Sequence, residues 1–177
     1  MPKSFNHKIT LAGAGQPTYE TCWFACYKII MAAANKSYYP IEGRLRAAGV
    51  LFDDCYANGM PDTVYATAAR ALELEQWPGS KFNAKPGLFD VGLTDGTEAL
   101  LELLEVGPLW VSKFGDSNYH IIVATGYDER SGHIKFVNPF PGPHNAVEDT
   151  LKANLFAKYI TRANASVQQW RYRLGED

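Results

Sequence analysis

The apolar positions divide the chain into two textures. Residues 11–21 are rich in Gly, Pro and Thr, and the segment after them, CWFACYKIIMAAAN, places Trp23, Cys26, Tyr27, Ile30, Met31 and Ala34 at helical spacing. That period predicts a loop feeding a buried helix. Pro61-Asp62 followed by Thr63 to Leu74 predicts a second helix, and Thr97 to Val106 a third that Gly107 stops. Beyond Gly107-Pro108 the runs shorten and turn β-rich or alternating: Leu109 to Phe114, Tyr119 to Tyr127, Ile134 to Asn138 and Val167 to Leu174. Turn clusters at Gly115 to Asn118 and Asp128 to Gly132 fall between those runs, so Leu109 to Asn138 is expected to form an antiparallel meander. Residues 148–160 read as another helix or as a helix leading into the last strand. A helical first part and a sheet-rich second part, with no internal repeat or linker, give an α+β fold.

At 177 residues the chain has the size of one domain, and such a domain buries about 70% of the surface its unfolded chain exposes. One core suffices, and 1–177 reads as a single domain. Apolar residues at 46% and charged residues at 20% exclude disordered and fibrous classes. A formal charge of -2 without a Lys or Arg run lacks the footprint of a nucleic-acid binder. The apolar stretch Phe24 to Ala34 contains Lys28 and is shorter than the roughly 20 residues that span a bilayer, so no membrane partner is expected. Met1 to Thr10 lack the apolar core and cleavage site of a Sec signal. Three cysteines, an odd number, point to free thiols and a reducing site of action rather than a disulfide framework.

Candidate chemistry gathers on four residues. Cys22 opens the first predicted helix behind Thr21, a suitable N-cap, where unpaired backbone N–H groups and the helix dipole favour an anion. A free thiol near pKa 8.5 needs a base and a positive environment to react as a thiolate at neutral pH. His120, in a predicted strand, is the candidate base. Asn138, at the end of the next strand, can accept the other ring N–H and fix tautomer and orientation, because a short turn folds the two strands side by side. The Gln16 side-chain amide and the Cys22 backbone N–H are the candidate oxyanion donors.

Gln16 with Cys22-Trp23, Gly107-Pro108-Leu109-Trp110-Val111, His120-Ile121-Ile122-Val123 with Gly126, and Val137-Asn138-Pro139 together resemble papain-like cysteine peptidases. The resemblance is to the compact bacterial type, related to bacteriocin-leader peptidases and plant-pathogen effector proteases. It implies a papain-like fold, with the nucleophile at a helix N-terminus packed on an antiparallel sheet that carries His and Asn. It further implies an endopeptidase acting on protein or peptide, without metal or organic cofactor. An effector or toxin role follows, in a recipient cytoplasm after delivery by a specialised secretion system, with a cognate inhibitor or immunity protein as partner where bacteria are the target. Several compact relatives use Asp where this chain has Asn138; the role is the same. The Gly- and Cys-rich context behind the nucleophile of lysosomal papain-type enzymes is absent, so no substrate pocket carries over. The same thioester chemistry serves glutamine deamidation, transglutamination and peptidoglycan amide hydrolysis. Asn138 in place of a second histidine argues against the last. The rival of another class is an inert binding module, against which the full set of four positions argues.

Of the other candidates, Cys26 lies one helical turn beyond Cys22 and reads as packing, since Cys-x3-Cys is neither the redox spacing nor half of a zinc site. Cys55, beside Asp53 and Asp54, reads as an incidental thiol with a reactive surface thiol as the alternative. His133 and His144 read as exposed loop residues, with His144 the substitute base should His120 be structural. Trp23 and Trp110 are given shielding roles.

Overall fold

The computed structural model describes residues 3–82, 95–114, 120–140, 146–160 and 164–170. The apolar segment after Thr21 forms helix α1 (Cys22–Ala33). Three seven-residue helices follow: α2 (Ile41–Ala47), α3 (Phe52–Asn58) and α4 (Tyr65–Ala71). The expected second helix is split, because Asp62–Val64 is a 3-10 turn and α4 ends at Ala71. α5 (Asp95–Val106) stops before Gly107, and α6 (Ala153–Ile160) fills the last part of the segment expected to be helical.

The strands are β1 (Phe5–Asn6), β2 (Glu75–Pro78), β3 (Leu109–Val111), β4 (Ile122–Asp128), β5 (His133–Asn138), β6 (Val147–Lys152) and β7 (Ser166–Gln169). They form one sheet in the order β2-β7-β3-β4-β5-β6, with every described pair antiparallel. β1 pairs with β4 at Tyr127 and Gly126, beyond the Leu109–Ala124 pair at which β3 begins. The meander is therefore β3, β4 and β5. The cluster Gly115 to Asn118 lies outside the described residues.

Alternation along the strands sends side chains to two cores. Trp110, Ile121, Val123 and Val137 join residues of α1 to α4 on one face, while Leu109, Val111, Ile122, Ala124, Ile134 and Phe136 join α5 and α6 on the other. The sequence reading of one helical part on one sheet is refined accordingly: the third predicted helix covers the opposite face. A sheet covered on both faces explains why β3 is buried at all three positions.

α1 is pinned to the sheet by aromatic groups whose polar ends are also satisfied. Tyr27 stacks on Trp110 at 5.0 Å. Trp110 Nε1 donates to the Trp23 carbonyl (3.3 Å), Trp23 Nε1 to the Cys55 carbonyl (3.2 Å), and the Tyr27 hydroxyl to Gln168 Oε1 (2.9 Å). Burial of such groups without partners would cost about 1–3 kcal/mol each, so the set fixes the rotation of α1 as well as its position. Among the described residues no helix is long and apolar enough to cross a membrane.

Candidate active site

The start of α1 is built by a 3-10 turn, Tyr19–Thr21, that runs directly into Cys22. Thr21 is the N-cap by position, but its side chain faces backwards: Oγ1 accepts the Thr18 N–H (3.1 Å) and donates to the Thr18 carbonyl (3.1 Å). It makes no side-chain cap to α1. The amides of the first turn thus keep their unmet polarity around Cys22.

Cys22 is buried, 4% exposed. Desolvation pushes its thiol up to about 11, against the downward pull of the backbone N–H groups of Ile121, Trp23 and Cys22 itself; Glu20 adds a smaller upward push. The sequence reading placed Cys22 where a thiolate is comfortable. The favourable amides are there, and burial acts against them.

His120 stands just ahead of β4, and its carbonyl accepts the Phe114 N–H (3.0 Å). Its Nε2 lies 2.9 Å from Asn138 Oδ1 at the end of β5. The Phe140 N–H, which can only donate, also points at that oxygen (3.1 Å). The facing atom of Asn138 is therefore the carbonyl oxygen, Nε2 carries the proton, and the lone pair of the neutral ring is on Nδ1. Burial lowers the pKa of His120 below 6.5, opposed by the Asn138 hydrogen bond.

Gln16 is buried, and its backbone N–H donates to the Pro139 carbonyl (2.9 Å), which ties the loop before α1 to the corner that holds Asn138. Its side-chain amide donates to the carbonyls of Thr18 (2.7 Å) and Tyr19 (3.1 Å). Gln16 Oε1 is buried without a hydrogen-bond partner among the described residues. Cys22 is thus tied to the peptide of Ile121, next in the chain to His120; His120 is bonded to Asn138; and Gln16 is bonded to Pro139, next in the chain to Asn138.

The family described as papain-like cysteine protease AvrRpt2 matches residues 5–156. The chain belongs to that family. Comparison with curated proteins and with solved structures gives no match. The protein is accordingly a hydrolase, a papain-like thiol protease of the bacterial effector type, and its matched span contains Gln16, Cys22, His120 and Asn138.

The remaining candidates of this papain-like protease sort by burial. Cys55 is 4% exposed, not a surface thiol, because α3 packs it inward. His133 is the first residue of β5 rather than a loop residue, with Nδ1 2.8 Å from the Ser131 carbonyl. His144 lies outside the described residues. Trp23 and Trp110 are fully buried core. Sequence reasoning missed Phe140, whose N–H shares Asn138 Oδ1 and whose ring packs on Tyr19 at 4.9 Å; an aromatic two residues behind Asn138 was the available signal. The Ile121 peptide left no signal, since its contribution is backbone.

Proposed function

We propose that this protease hydrolyses peptide bonds of protein substrates with Cys22 as nucleophile and His120 as general base, oriented by Asn138. The observation that carries the reading is the 2.9 Å hydrogen bond from His120 Nε2 to Asn138 Oδ1, which leaves Nδ1 as the ring's basic atom. Nδ1 takes the Cys22 proton as Sγ attacks the carbonyl carbon, and the carbonyl electron pair moves onto oxygen. Collapse breaks the C–N bond, and Nδ1–H protonates the leaving amine. Water, giving a proton to Nδ1, then attacks the thioester; collapse frees the acid and returns the proton to Sγ.

Burial disfavours charge on either partner alone. The proton therefore passes within the pair, so that thiolate and imidazolium arise together. The oxyanion donors are the Cys22 N–H and Gln16. The Gln16 amide is directed at Thr18 and Tyr19 in this structure, so its service requires one of those bonds to be given up as the oxyanion forms.

The effector type of the family supports a protein of a recipient cell as substrate. It would be met in the recipient cytoplasm after delivery by a specialised secretion system, with a cognate inhibitor where the recipient is a bacterium. Cys22→Ala is expected to abolish chain scission, by about 10³-fold or more in kcat, with the fold intact. Intact-mass analysis of a treated proteome reads this. Undiminished scission in the variant, or mass changes without scission in the wild type, would overturn the proposal.

A further inference from the structure

Both cysteines of α1 grip one peptide. The Ile121 N–H hydrogen-bonds Cys22, and the Ile121 carbonyl accepts the thiol of Cys26 at 3.4 Å. The match is geometric. In an extended chain the N–H and C=O of one residue point to the same side, while side chains four apart on a helix lie one above the other, about 5–6 Å apart. Cys22 and Cys26 therefore present two sulfurs to the two polar groups of Ile121.

The sheet leaves that place open. The β4–β5 ladder stops at the Val123–Val137 pair; continued in the same register it would set Ile121, just ahead of β4, opposite Pro139, which has no N–H to give. The Pro139 carbonyl is taken by the Gln16 N–H. On the other edge the His120 carbonyl takes the Phe114 N–H. The thiol of Cys26 supplies the donor that the strand opposite lacks.

We infer that Cys26 is a positioning residue of this protease: its S–H holds the Ile121 peptide, which keeps the Ile121 N–H on Cys22 Sγ and His120, one residue earlier, in register with Asn138. The inference rests on the proposed roles of Cys22 and His120. Cys26 is fully buried and stays protonated, since desolvation first and the neighbouring Cys22 second push its thiol well up. It is a donor, not a second nucleophile.

Three variants separate this role from packing. Cys26→Ser keeps a donor, Cys26→Ala removes it, and Cys26→Val removes it while keeping bulk. None alters the titratable groups that act on the two thiols: Glu20 from the 3-10 turn, Tyr27 from α1 and Tyr65 from α4. The readouts are kcat/KM on a cleaved protein substrate and the pH profile of Cys22 alkylation by iodoacetamide, followed on the Cys22 peptide by mass spectrometry. Cys26→Ala and Cys26→Val are expected to lose about ten- to a hundredfold in kcat at unchanged KM, with the alkylation midpoint moved to higher pH. Cys26→Ser is expected to restore both. A wild-type alkylation profile in Cys26→Ala, whatever its melting temperature, overturns the inference, as does a Cys26→Ser variant as impaired as Cys26→Ala. Should Cys26→Val fail to fold, the Ser and Ala pair carries the comparison alone. Scission that survives Cys22→Ala would instead count against the proposed function, and the alkylation profile would still report on Cys26.

Discussion

Asn138 meets its neighbours through a single oxygen. Oδ1 receives both His120 Nε2–H and the Phe140 N–H, so the proposed orienting role rests on the acceptor. Asn138→Asp keeps the acceptor and is expected to retain most of the activity. Asn138→Ala frees the ring to turn and should lower kcat by about 10–10³-fold with a smaller change in KM, as steady-state kinetics would read. The thiol of Cys22 makes a second prediction. Burial penalises the thiolate and pushes the thiol up to about 11 in the fold. A group whose pKa is raised by folding contributes fully below the unfolded value, and the contribution is lost as pH climbs through the folded one. Wild type should therefore lose on the order of 2–3 kcal/mol relative to Cys22→Ala between pH 9 and 11, and denaturant titrations across that range would show it. The pairing of His120 with Asn138 was legible in the sequence, since a short turn between the two strands sets them side by side. The environment of Cys22 was not. How far Cys22 is desolvated depends on α3, α4 and the sheet closing around it.

Elements differ in how much backbone movement they permit, and two glycines expose the difference. A Cβ on Gly79 would run into the Ile160 carbonyl oxygen and come within 2.8 Å of Ala165 Cβ, at the end of α6 and the approach to β7. A Cβ on Gly126 would meet the Phe5 carbonyl oxygen at 2.6 Å and Asn6 Oδ1 at 2.8 Å. The two-residue β1 can move away from β4, whereas the α6 end is held in the second core. Gly79→Ala is thus expected to cost about 3 kcal/mol or more and Gly126→Ala about 1–2 kcal/mol, measured by chemical denaturation. The same scale explains what sequence reading found and missed. α5 carries a clear period, while α1 and the strands of the β3 to β5 meander stand out as apolar runs bounded by turn residues. β6 carries neither, because Val147 to Asp149 and Lys152 are exposed at a sheet edge, and its charges suit an edge that must not pair further. Read through the amphipathic α6 behind it, it looked helical. α2 and α3 are too short for a period to stand out.

For the molecule as a whole, the central fact is a sheet with a core on each face. One core binds α1 to the sheet through Trp23, Tyr27 and Trp110, and the other joins α5 and α6 to its back. The helical side is also held by the ion pair of Asp62 with Lys113 (2.8 Å), which links the 3-10 turn before α4 to the chain beyond β3. The paired cores were only half visible in the sequence, since the β-rich texture of Leu109 to Phe114 does not say which helices cover which face. Neither the thiol-bearing segment nor the strand segment carries the whole site. On the proposed roles of Cys22 and His120, the site is complete only when α1 has docked on the sheet, and the stack of Tyr27 on Trp110 belongs to that docked core. After dilution from denaturant, peptidase activity should return at the same rate as the fluorescence of the buried tryptophans. Activity that ran ahead of that signal would mean that the site closes before the core.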